Sequence, residues 1–373
     1  SVSGFSTTGA TLLTDLDRAP PTILLWRSLT HWLGGMGVIV LMLAVLPFFG
    51  LSGLSLFKNE SSLGQVRLKP GIAQTAKALW LIYLGLTVLA VILVRVGGMS
   101  WFESVCHALS AIATGGFATR EMSIGHYHRP YLELVFTLIM FAGSLNFALY
   151  YQAARGDWRS LARDPEARAF TLIIVVCSLA IAAVLLASDH YPTPLTALRH
   201  AGFQVVSVVS TTGFASADWI QWPLPAQGLL FALFFLGGCS GSTSGGIKCL
   251  RWLLIFKGVR RALRQHIHPR AVFGLRLGGR PVPERLMTAV WSFWALYLIV
   301  LAVSALALTA LNLDLLTAFS ASASALGNVG LTLGGGFAHF PAPAKIILIL
   351  EMILGRLEFF TLLILFLPEF WKR

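Results

Sequence analysis

Long apolar runs recur along the chain and are separated by short polar connections. A helix that crosses a bilayer needs about 20 consecutive apolar residues, and its backbone groups must be hydrogen-bonded internally. The pattern therefore predicts an all-α polytopic membrane protein embedded in a lipid bilayer. The runs of spanning length are residues 23–49, 76–96, 131–151, 170–187, 288–311 and 346–367. A further run, residues 229–256, is interrupted by the sequence GGCSGSTSGGIK.

Shorter apolar stretches precede a small polar motif, and this motif occurs four times. The copies read SGFSTTGAT, SAIATGGFA, SVVSTTGFA and SALGNVGLT, and they align on Gly9, Gly116, Gly213 and Gly330. Each copy also has a serine six residues before that glycine. A single cluster of small residues is typical of a helix-packing face in membranes. Four copies in register, each followed by a spanning run, instead predict four pseudo-repeated helix–pore-loop–helix units.

The repeated motif has the chemistry of a cation pathway. A permeating cation must exchange water for other oxygen ligands, and backbone carbonyls from converging loops supply them. Glycine permits the backbone dihedrals that turn carbonyls toward an axis. Residues 101–113, 194–209 and 315–326 would be half-membrane helices whose partly negative C-terminal ends face the ion. The sequence thus predicts a central ion pore with one pore loop from each unit.

The placement of charge predicts an orientation for these helices. Only 12% of the residues are charged, and the formal net charge is +12. Lys and Arg cluster in residues 58–77, 155–168 and 248–285 and at the C-terminus, which by the positive-inside rule makes these connections cytoplasmic. The other connections carry acids, so a cation arriving from outside would meet an acidic entrance. The basic run of residues 257–285 is interpreted as a topology signal or a docking surface, and no nucleic acid is expected.

These features resemble the Trk/Ktr/HKT superfamily of potassium transporters, and within it the bacterial TrkH/TrkG type of potassium-uptake transmembrane subunit. The resemblance covers residues 1–373 and rests on four unequal units with a single filter glycine each. It implies a K⁺ selectivity filter in four segments. The implied filter residues are Thr7, Thr8, Gly9, Thr114, Gly115, Gly116, Thr211, Thr212, Gly213, Asn328, Val329 and Gly330. Glycine at the first segment goes with K⁺ preference in this family, and the fourth segment departs most from the others.

The resemblance also implies a gate. The interrupted helix after the third motif is similar to the family's glycine-rich intramembrane loop, which lies under the filter, and an arginine of the last span contacts that loop in the family. The implied gate residues are Gly237, Gly238, Ser240, Gly241, Ser242, Thr243, Ser244, Gly245, Gly246 and Arg356. A charge near the middle of a span costs about 2.5–3.5 kcal/mol, so Arg356 needs a partner and is expected to have a function.

The four units are predicted at residues 1–56, 57–156, 157–287 and 288–373, with the gating loop at residues 237–246. Proteins of this type have an opening helix hairpin, a first spanning helix and a first pore helix before the first filter segment. These elements are not in the sequence, so we expect a truncated first unit that cannot by itself close a complete pore.

The resemblance further implies the ion, the partners and the location. K⁺ is the transported ion and binds only at the filter, and no covalently bound cofactor is expected. A homodimer in the bacterial inner membrane would dock on a cytoplasmic TrkA-like ring of nucleotide-binding regulatory subunits. The controlling nucleotide, ATP/ADP or NAD(H), is expected on that ring and not on this chain.

Two other functions compete with a gated K⁺ pore. A proton- or sodium-coupled symporter would need an ionisable residue along the path. The ionisable residues within spans are Arg27, Glu133, Glu351, Arg356 and Glu358, which form no clear carboxylate relay. The sequence leaves channel and symporter open. An intramembrane serine protease would use GCSG at residues 238–241, but it needs a histidine base at membrane depth, and the later histidines fall in loops. The prediction is a transport protein and not an enzyme.

Overall fold

A computed structural model of the protein describes residues 1–44, 72–271, 273–366 and 368–371. Helices occupy most of these residues. They are α1 (Val2–Phe5), α2 (Pro21–Ala44), α3 (Ile72–Val96), α4 (Trp101–Ile112), α5 (Pro130–Ser144), α6 (Phe147–Ala154), α7 (Arg159–Arg163), α8 (Pro165–Ala187), α9 (Pro194–Val209), α10 (Leu224–Leu233), α11 (Cys249–Ile267), α12 (Glu284–Ala310), α13 (Leu315–Gly327), α14 (Ala342–Arg356), α15 (Phe360–Leu363) and α16 (Pro368–Trp371).

The remaining regular structure is short. Single 3-10 turns lie at Ser123–Tyr127, Trp219–Gln221, Phe337–His339 and Ile364–Phe366. An antiparallel hairpin pairs β1 (Arg276–Leu277) with β2 (Arg280–Pro281) between α11 and α12. Several predicted features lie outside the described residues: the boundary at residues 56 and 57, residues 45–49 of the first predicted span, residue 367 of the last, the basic residues Lys58, Arg67 and Lys69, and the C-terminal Lys372 and Arg373.

Within the described residues, three helices are long and apolar enough to cross a membrane. They are α3 over Ala76–Val96, α8 and α12, which confirms the spans predicted at residues 76–96, 170–187 and 288–311. Their outward faces are apolar. On α3, for example, Leu84, Val88 and Ile92 are each about half exposed in the isolated chain. A continuous apolar face of this kind suits contact with lipid and not with water.

The span predicted at residues 131–151 is wrong as a single straight helix, because α5 and α6 meet at an angle of 94°. Asn146 leaves helical geometry, and its side chain accepts a hydrogen bond from Ala148 N at 2.9 Å, which starts α6 as a new helix. The break frees backbone carbonyls at the end of α5. Those of Gly143 and Ser144 accept hydrogen bonds from amides near residues 239–243 instead. The bend therefore depends on contacts that are distant in sequence.

The span predicted at residues 346–367 is also interrupted. Helix α14 ends at Arg356, and Glu358 adopts a left-handed backbone with φ of 54°. The Glu358 carboxylate pairs with Arg251 of α11 at 2.5 Å. This ion pair gives a physical reason for the break, because the turn at Glu358 carries its side chain toward α11. Arg356 is consequently the last residue of a helix and not the middle of one.

Helices α4, α9 and α13, with 12, 16 and 13 residues, lie where the sequence predicted half-membrane helices. At about 1.5 Å per residue they are about 18–24 Å long, which is shorter than the hydrocarbon core of about 30 Å. Each begins at a side-chain cap. Ser100, Thr193 and Asp314 accept the amide hydrogen bonds of residues 103, 196 and 317. These capping residues fix the starting points locally, and each helix then runs into one of the repeated motifs.

The core lies between these three short helices and the longer helices around them. Helix α4 packs on α2 and α3, α9 packs on α5 and α8, and α13 packs on α12 and α14. Large aromatic side chains such as Tyr83, Phe136, Phe170 and Phe203 are almost fully buried there. The three short helices are therefore held by apolar packing, and this leaves the polar motifs at their ends to be positioned by hydrogen bonds.

Candidate functional site

Four three-residue segments share one backbone geometry. We name them motif 1 (residues 7–9), motif 2 (114–116), motif 3 (211–213) and motif 4 (328–330). The first and third residue of each has positive φ: 53° and 81° at Thr7 and Gly9, 53° and 79° at Thr114 and Gly116, 58° and 81° at Thr211 and Gly213, and 53° and 79° at Asn328 and Gly330. Left-handed backbone is costly for a threonine, so surrounding contacts must impose it. The sequence repeat is thus also a conformational repeat.

The serine six residues before each glycine helps to impose this geometry. The backbone carbonyls of Ser3, Ser110, Ser207 and Ser324 accept hydrogen bonds from the second residue of their motifs, at 2.8–2.9 Å. In motifs 1 and 3 the serine hydroxyl also donates to the carbonyl just after the glycine. These distances are 2.9 Å from Ser3 to Ala10 and 2.6 Å from Ser207 to Phe214. Each motif is therefore tied back onto the helical turn that precedes it.

The four motifs approach one another in a closed cyclic order. A Cβ atom added to Gly9 would overlap the carbonyl oxygen of Gly115, and one added to Gly116 would overlap that of Thr212. The same holds from Gly213 to Val329 and from Gly330 to Thr8. Each glycine thus touches the second residue of the next motif, and motif 4 returns to motif 1. Only glycine combines the positive φ with this close backbone approach.

Motif 4 is held differently from motifs 1 and 3. In the latter two, paired hydroxyls lie behind the backbone, namely Ser6 with Thr8 and Ser210 with Thr212, each at 2.7 Å. Motif 4 has Asn328, whose side-chain nitrogen donates to Thr8 Oγ1 and to the Met352 carbonyl, both at 3.0 Å. The sequence departure of the fourth segment is therefore matched by a cross-link between motifs 4 and 1.

Motif 2 is supported by a buried imidazole. His31 Nδ1 and the Ser110 hydroxyl are 2.7 Å apart, and the His31 ring stacks on Phe117 with 3.9 Å between centroids. A side chain at Gly115 would overlap the imidazole, which explains why this motif reads Thr-Gly-Gly where motifs 1 and 3 read Thr-Thr-Gly. Only the hydrophobic context of His31 was visible in the sequence.

The Gly/Ser loop, residues 237–246, is closed at its base. Gly237 and Gly246 form an antiparallel bridge, Ile247 N donates to the Leu236 carbonyl at 3.3 Å, and Cys249 N donates to the Gly238 carbonyl at 3.1 Å. Inside the loop, the hydroxyls of Ser242 and Ser244 lie 2.6 Å apart. The glycine-rich composition permits this narrow turn, because Gly241 and Gly246 both have positive φ.

The far end of the Gly/Ser loop contacts three of the four motifs. The Thr243 hydroxyl lies 3.3 Å from that of Thr114, and Gly245 N donates to Thr211 Oγ1 at 2.7 Å. Gly245 also lies against Asn328, where an added Cβ would be 2.7 Å from the Asn328 Cβ. The contacted side chains are the first residues of motifs 2, 3 and 4. Of the predicted gate residues on the loop, Thr243 and Gly245 meet the predicted filter, whereas Gly237, Gly238 and Gly246 form the base.

Arg356 links the Gly/Ser loop to α2. Its guanidinium is buried and donates to the Thr243 carbonyl at 2.6 Å and to the Gly34 carbonyl of α2 at 3.2 Å. A buried guanidinium needs hydrogen-bond acceptors, and two backbone carbonyls supply them here. The fixed positive charge therefore lies directly against the loop that contacts the motifs.

A cluster of charged residues at the loop base was not recognised from the sequence. Lys248 and Arg251, which the sequence groups with the exposed basic run, are buried. Lys248 donates to the Ser244 carbonyl, and Arg251 pairs with Glu358. Glu166 accepts hydrogen bonds from Ser240, so the serine of GCSG contacts a carboxyl group where a protease would need a histidine. These partners are far apart in the chain, and the pattern gave no signal for them.

The predicted acidic entrance is partly neutralised. Arg120, four residues after Gly116, pairs with Glu103 at 3.0 Å and with Asp17 at 3.3 Å. The hydrogen bonds to Glu103 raise the pKa of Arg120 above its ordinary value. Because one guanidinium offsets two carboxylates, the net negative charge beside motif 2 is smaller than the sequence suggested.

Comparisons with known proteins agree on one family. A family model described as a cation transport protein, TrkH, matches residues 1–373. The chain is 42% identical to the Trk system potassium uptake protein TrkH of Salmonella typhimurium, over 100% of this chain and 78% of that protein. It is 36% identical to the potassium uptake protein TrkG of Escherichia coli, over 100% and 78%. The crystal structure of the potassium transporter TrkH from Vibrio parahaemolyticus superimposes with a TM-score of 0.91 at 40% identity, covering 99% of this chain and 77% of that one.

Proposed function

Because the chain belongs to the TrkH family of cation transport proteins, we propose that it is the pore subunit of a potassium-uptake system. The family and the fold show a mostly helical, membrane-embedded transporter. The sequence predicted a transporter and not an enzyme, and the matched family is one of cation transport proteins. The proposal adds a selectivity filter, a gate and a regulator.

The closed cyclic contact of the four motifs is the observation that carries the proposal. Four segments of one chain repeat the same two positive φ values and meet glycine to carbonyl around a ring. K⁺ loses water on entering a filter, and a ring of backbone carbonyls replaces the lost ligands. The C-terminal ends of α4, α9 and α13 lie next to motifs 2, 3 and 4 and add a partly negative potential. We assign motifs 1–4 as the four filter segments.

The Gly/Ser loop and Arg356 form the gate in this proposal. The loop packs against the first residues of motifs 2, 3 and 4, where it obstructs the path on that side of the ring. Arg356 adds a positive charge at the same level and binds the loop through the Thr243 carbonyl. An obstacle and a like charge hinder K⁺ for different physical reasons, so both must move or be screened for conduction.

A conducting pore and a coupled symporter predict different currents. The buried acids have protein partners: Glu133 pairs with Arg199, Glu358 with Arg251, Glu351 accepts from Ser322, and Glu166 accepts from Ser240. This engagement favours a pore over a carboxylate relay. In liposomes under opposed ion gradients, we expect the current to reverse at the K⁺ equilibrium potential whatever the pH or Na⁺ gradient. A reversal potential that shifts with either gradient would establish coupling.

The assembly is proposed from the same family resemblance. We expect a homodimer in the bacterial inner membrane with the basic connections on the cytoplasmic side, docked on a TrkA-like ring that binds ATP/ADP or NAD(H). The exposed side chains of Arg260 and Arg264 lie on one stretch of α11, and Arg261 beside them pairs with Glu284 of α12. This surface offers positive charge to an acidic partner.

Neutralising Arg260, Arg261 and Arg264 together should weaken co-purification with the regulatory subunit by about tenfold, because rim charges steer and stabilise such contacts. The matched control replaces Arg155, Arg159 and Arg163, three exposed arginines of the other described basic cluster, and should bind like the parent. Binding would be measured at low and raised salt. Undiminished binding of the α11 variant at raised salt would exclude this docking surface.

A further inference from the structure

Glu166 lies in the first turn of α8, yet its side chain does not serve its own helix. Asp164 caps α8 by accepting from Ala167 N at 2.8 Å. Glu166 is buried and reaches the segment between α10 and α11. Its Oε1 atom accepts from Ser240 N at 2.8 Å, from the Ser240 hydroxyl at 3.3 Å and from Leu250 N at 3.0 Å. A single carboxyl oxygen therefore binds one residue inside the Gly/Ser loop and one just after it.

The contact with Leu250 gives α11 a cap. Lys248 precedes the helix with φ of 60° and makes no side-chain capping bond. The first amides of a helix have no intrahelical partner, and Leu250 N is one of them. Glu166 supplies the missing acceptor from another helix. The start of α11 and the loop residue Ser240 are consequently both fixed to α8.

The Gly/Ser loop depends on hydrogen bonds for its position, and Glu166 supplies one set of them. Its sequence is rich in glycine, so ordering it costs more conformational entropy than ordering other residues. Its far end is attached through Thr243, Gly245 and the Arg356 guanidinium. At its base, Glu166 joins two points that are ten residues apart in sequence, Ser240 and Leu250.

We propose that Glu166 is a positioning residue that holds the Gly/Ser loop against motifs 2–4, and this inference rests on the proposed role of that loop as a gate. The carboxyl group acts by its reach and its acceptor oxygen. It stabilises the conformation in which the loop is seated, so its removal favours conformations in which the loop has left the motifs.

The first test measures loop position without ion transport. Cys239, next to Ser240, is almost fully buried, and a tryptic cut after Lys248 places it on a different peptide from Cys249. In purified protein, Glu166→Ala should raise the rate of Cys239 alkylation by about fivefold, because buried amides lose their acceptor. Glu166→Gln keeps a carbonyl oxygen of the same reach and should stay within about twofold of the parent.

Two further variants control this experiment. Glu166→Asp keeps the charge but is one methylene shorter, so it should expose Cys239 nearly as much as Glu166→Ala does. Asp157→Ala removes an exposed acid from the connection between α6 and α7 and should leave the rate of Cys239 alkylation unchanged. If Glu166→Ala misfolds, the Asp and Gln variants still decide the question. Parent-like labelling of Glu166→Asp would overturn the positioning role, whether or not the protein conducts K⁺.

The second test measures Rb⁺ uptake per folded protein without the regulatory ring. Glu166→Ala should raise basal uptake by about fivefold, in step with Cys239 labelling. In a background lacking residues 241–245 it should add nothing, because the residue acts through the loop. Raised labelling with unchanged uptake would support the anchor and overturn the gate. Unchanged labelling with raised uptake would overturn the anchor.

Discussion

Replacing Gly213 by serine is expected to lower the preference for K⁺ over Na⁺ by about tenfold while the protein remains folded. Gly213 has φ of 81°, and an added Cβ would overlap the carbonyl oxygen of Val329 in motif 4. Backbone strain of this kind costs about 1–3 kcal/mol, and the contact must also open. The distance between motifs 3 and 4 then changes, and in the proposed filter this would alter how well their carbonyls replace the hydration of K⁺.

The measurement is K⁺ and Na⁺ uptake at equal amounts of folded protein. Gly228→Ser on α10 is the matched control, because an added Cβ there meets no atom within 4 Å. Serine at Gly9, Gly116 and Gly330 should act in the same direction, since each glycine touches the next motif in the same way. Uptake ratios that stay unchanged for all four substitutions would refute the assignment of motifs 1–4 as a filter.

Replacing Arg356 by alanine should raise basal K⁺ flux by about tenfold or more when no regulator is bound. In the proposed gate, a unit charge about 4–8 Å from a permeating K⁺ would repel it by about 2–4 kcal/mol at an effective dielectric constant of about 20. The substitution also removes the hydrogen bond to the Thr243 carbonyl that binds the loop. Deleting part of residues 241–245 should likewise raise basal flux, and it should make flux less responsive to nucleotide because the obstacle itself is absent.

Charge and tethering can be separated at this position. Arg356→Lys retains the charge but not the planar group that reaches both the Thr243 and Gly34 carbonyls. Arg356→Gln retains a hydrogen-bond donor without the charge. If charge repulsion dominates, Arg356→Gln should raise basal K⁺ flux above that of the parent, and Arg356→Lys should not. If tethering of the loop dominates, Arg356→Lys should raise basal flux as well. A well-folded Arg356→Ala protein with reduced Rb⁺ uptake would exclude both roles.

Much of the fold could be predicted because its signals are local. Apolar runs of spanning length predicted α3, α8 and α12, and the capping residues of α4, α9 and α13 precede apolar stretches too short to span. The interruptions of the spans predicted at residues 131–151 and 346–367 were not predicted. Their breaks at Asn146 and Glu358 are supported by partners about a hundred residues away, the Gly/Ser loop and Arg251. An apolar pattern carries no information about such partners.

The candidate site shows the same division. The repeated spacing Ser-x5-Gly indicated all four motifs. This signal is local, because the serine carbonyl accepts a hydrogen bond from an amide only five residues later, next to the glycine. Arg356 was indicated because a charge inside an apolar run is conspicuous. Glu166 was not, because an acid at the start of a helix is usually a local feature. Only the three-dimensional structure places its carboxyl group between Ser240 and Leu250.

The Gly/Ser loop donates hydrogen bonds to backbone carbonyls at the ends of α4 and α5, and these carbonyls would otherwise lack donors. The carbonyls of Gly143 and Ser144, freed by the break after α5, accept from Thr243 N and Cys239 N at 3.3 and 2.8 Å, and that of Ile112 accepts from the Thr243 hydroxyl at 3.0 Å. When the loop leaves, each carbonyl loses its donor, at a cost of about 1–3 kcal/mol unless a new one arrives. In the proposed gate, which would lie at membrane depth, that donor would be water. We therefore expect opening to be a hydration step, and solutes too large to enter the path should favour the closed protein by withdrawing water from it.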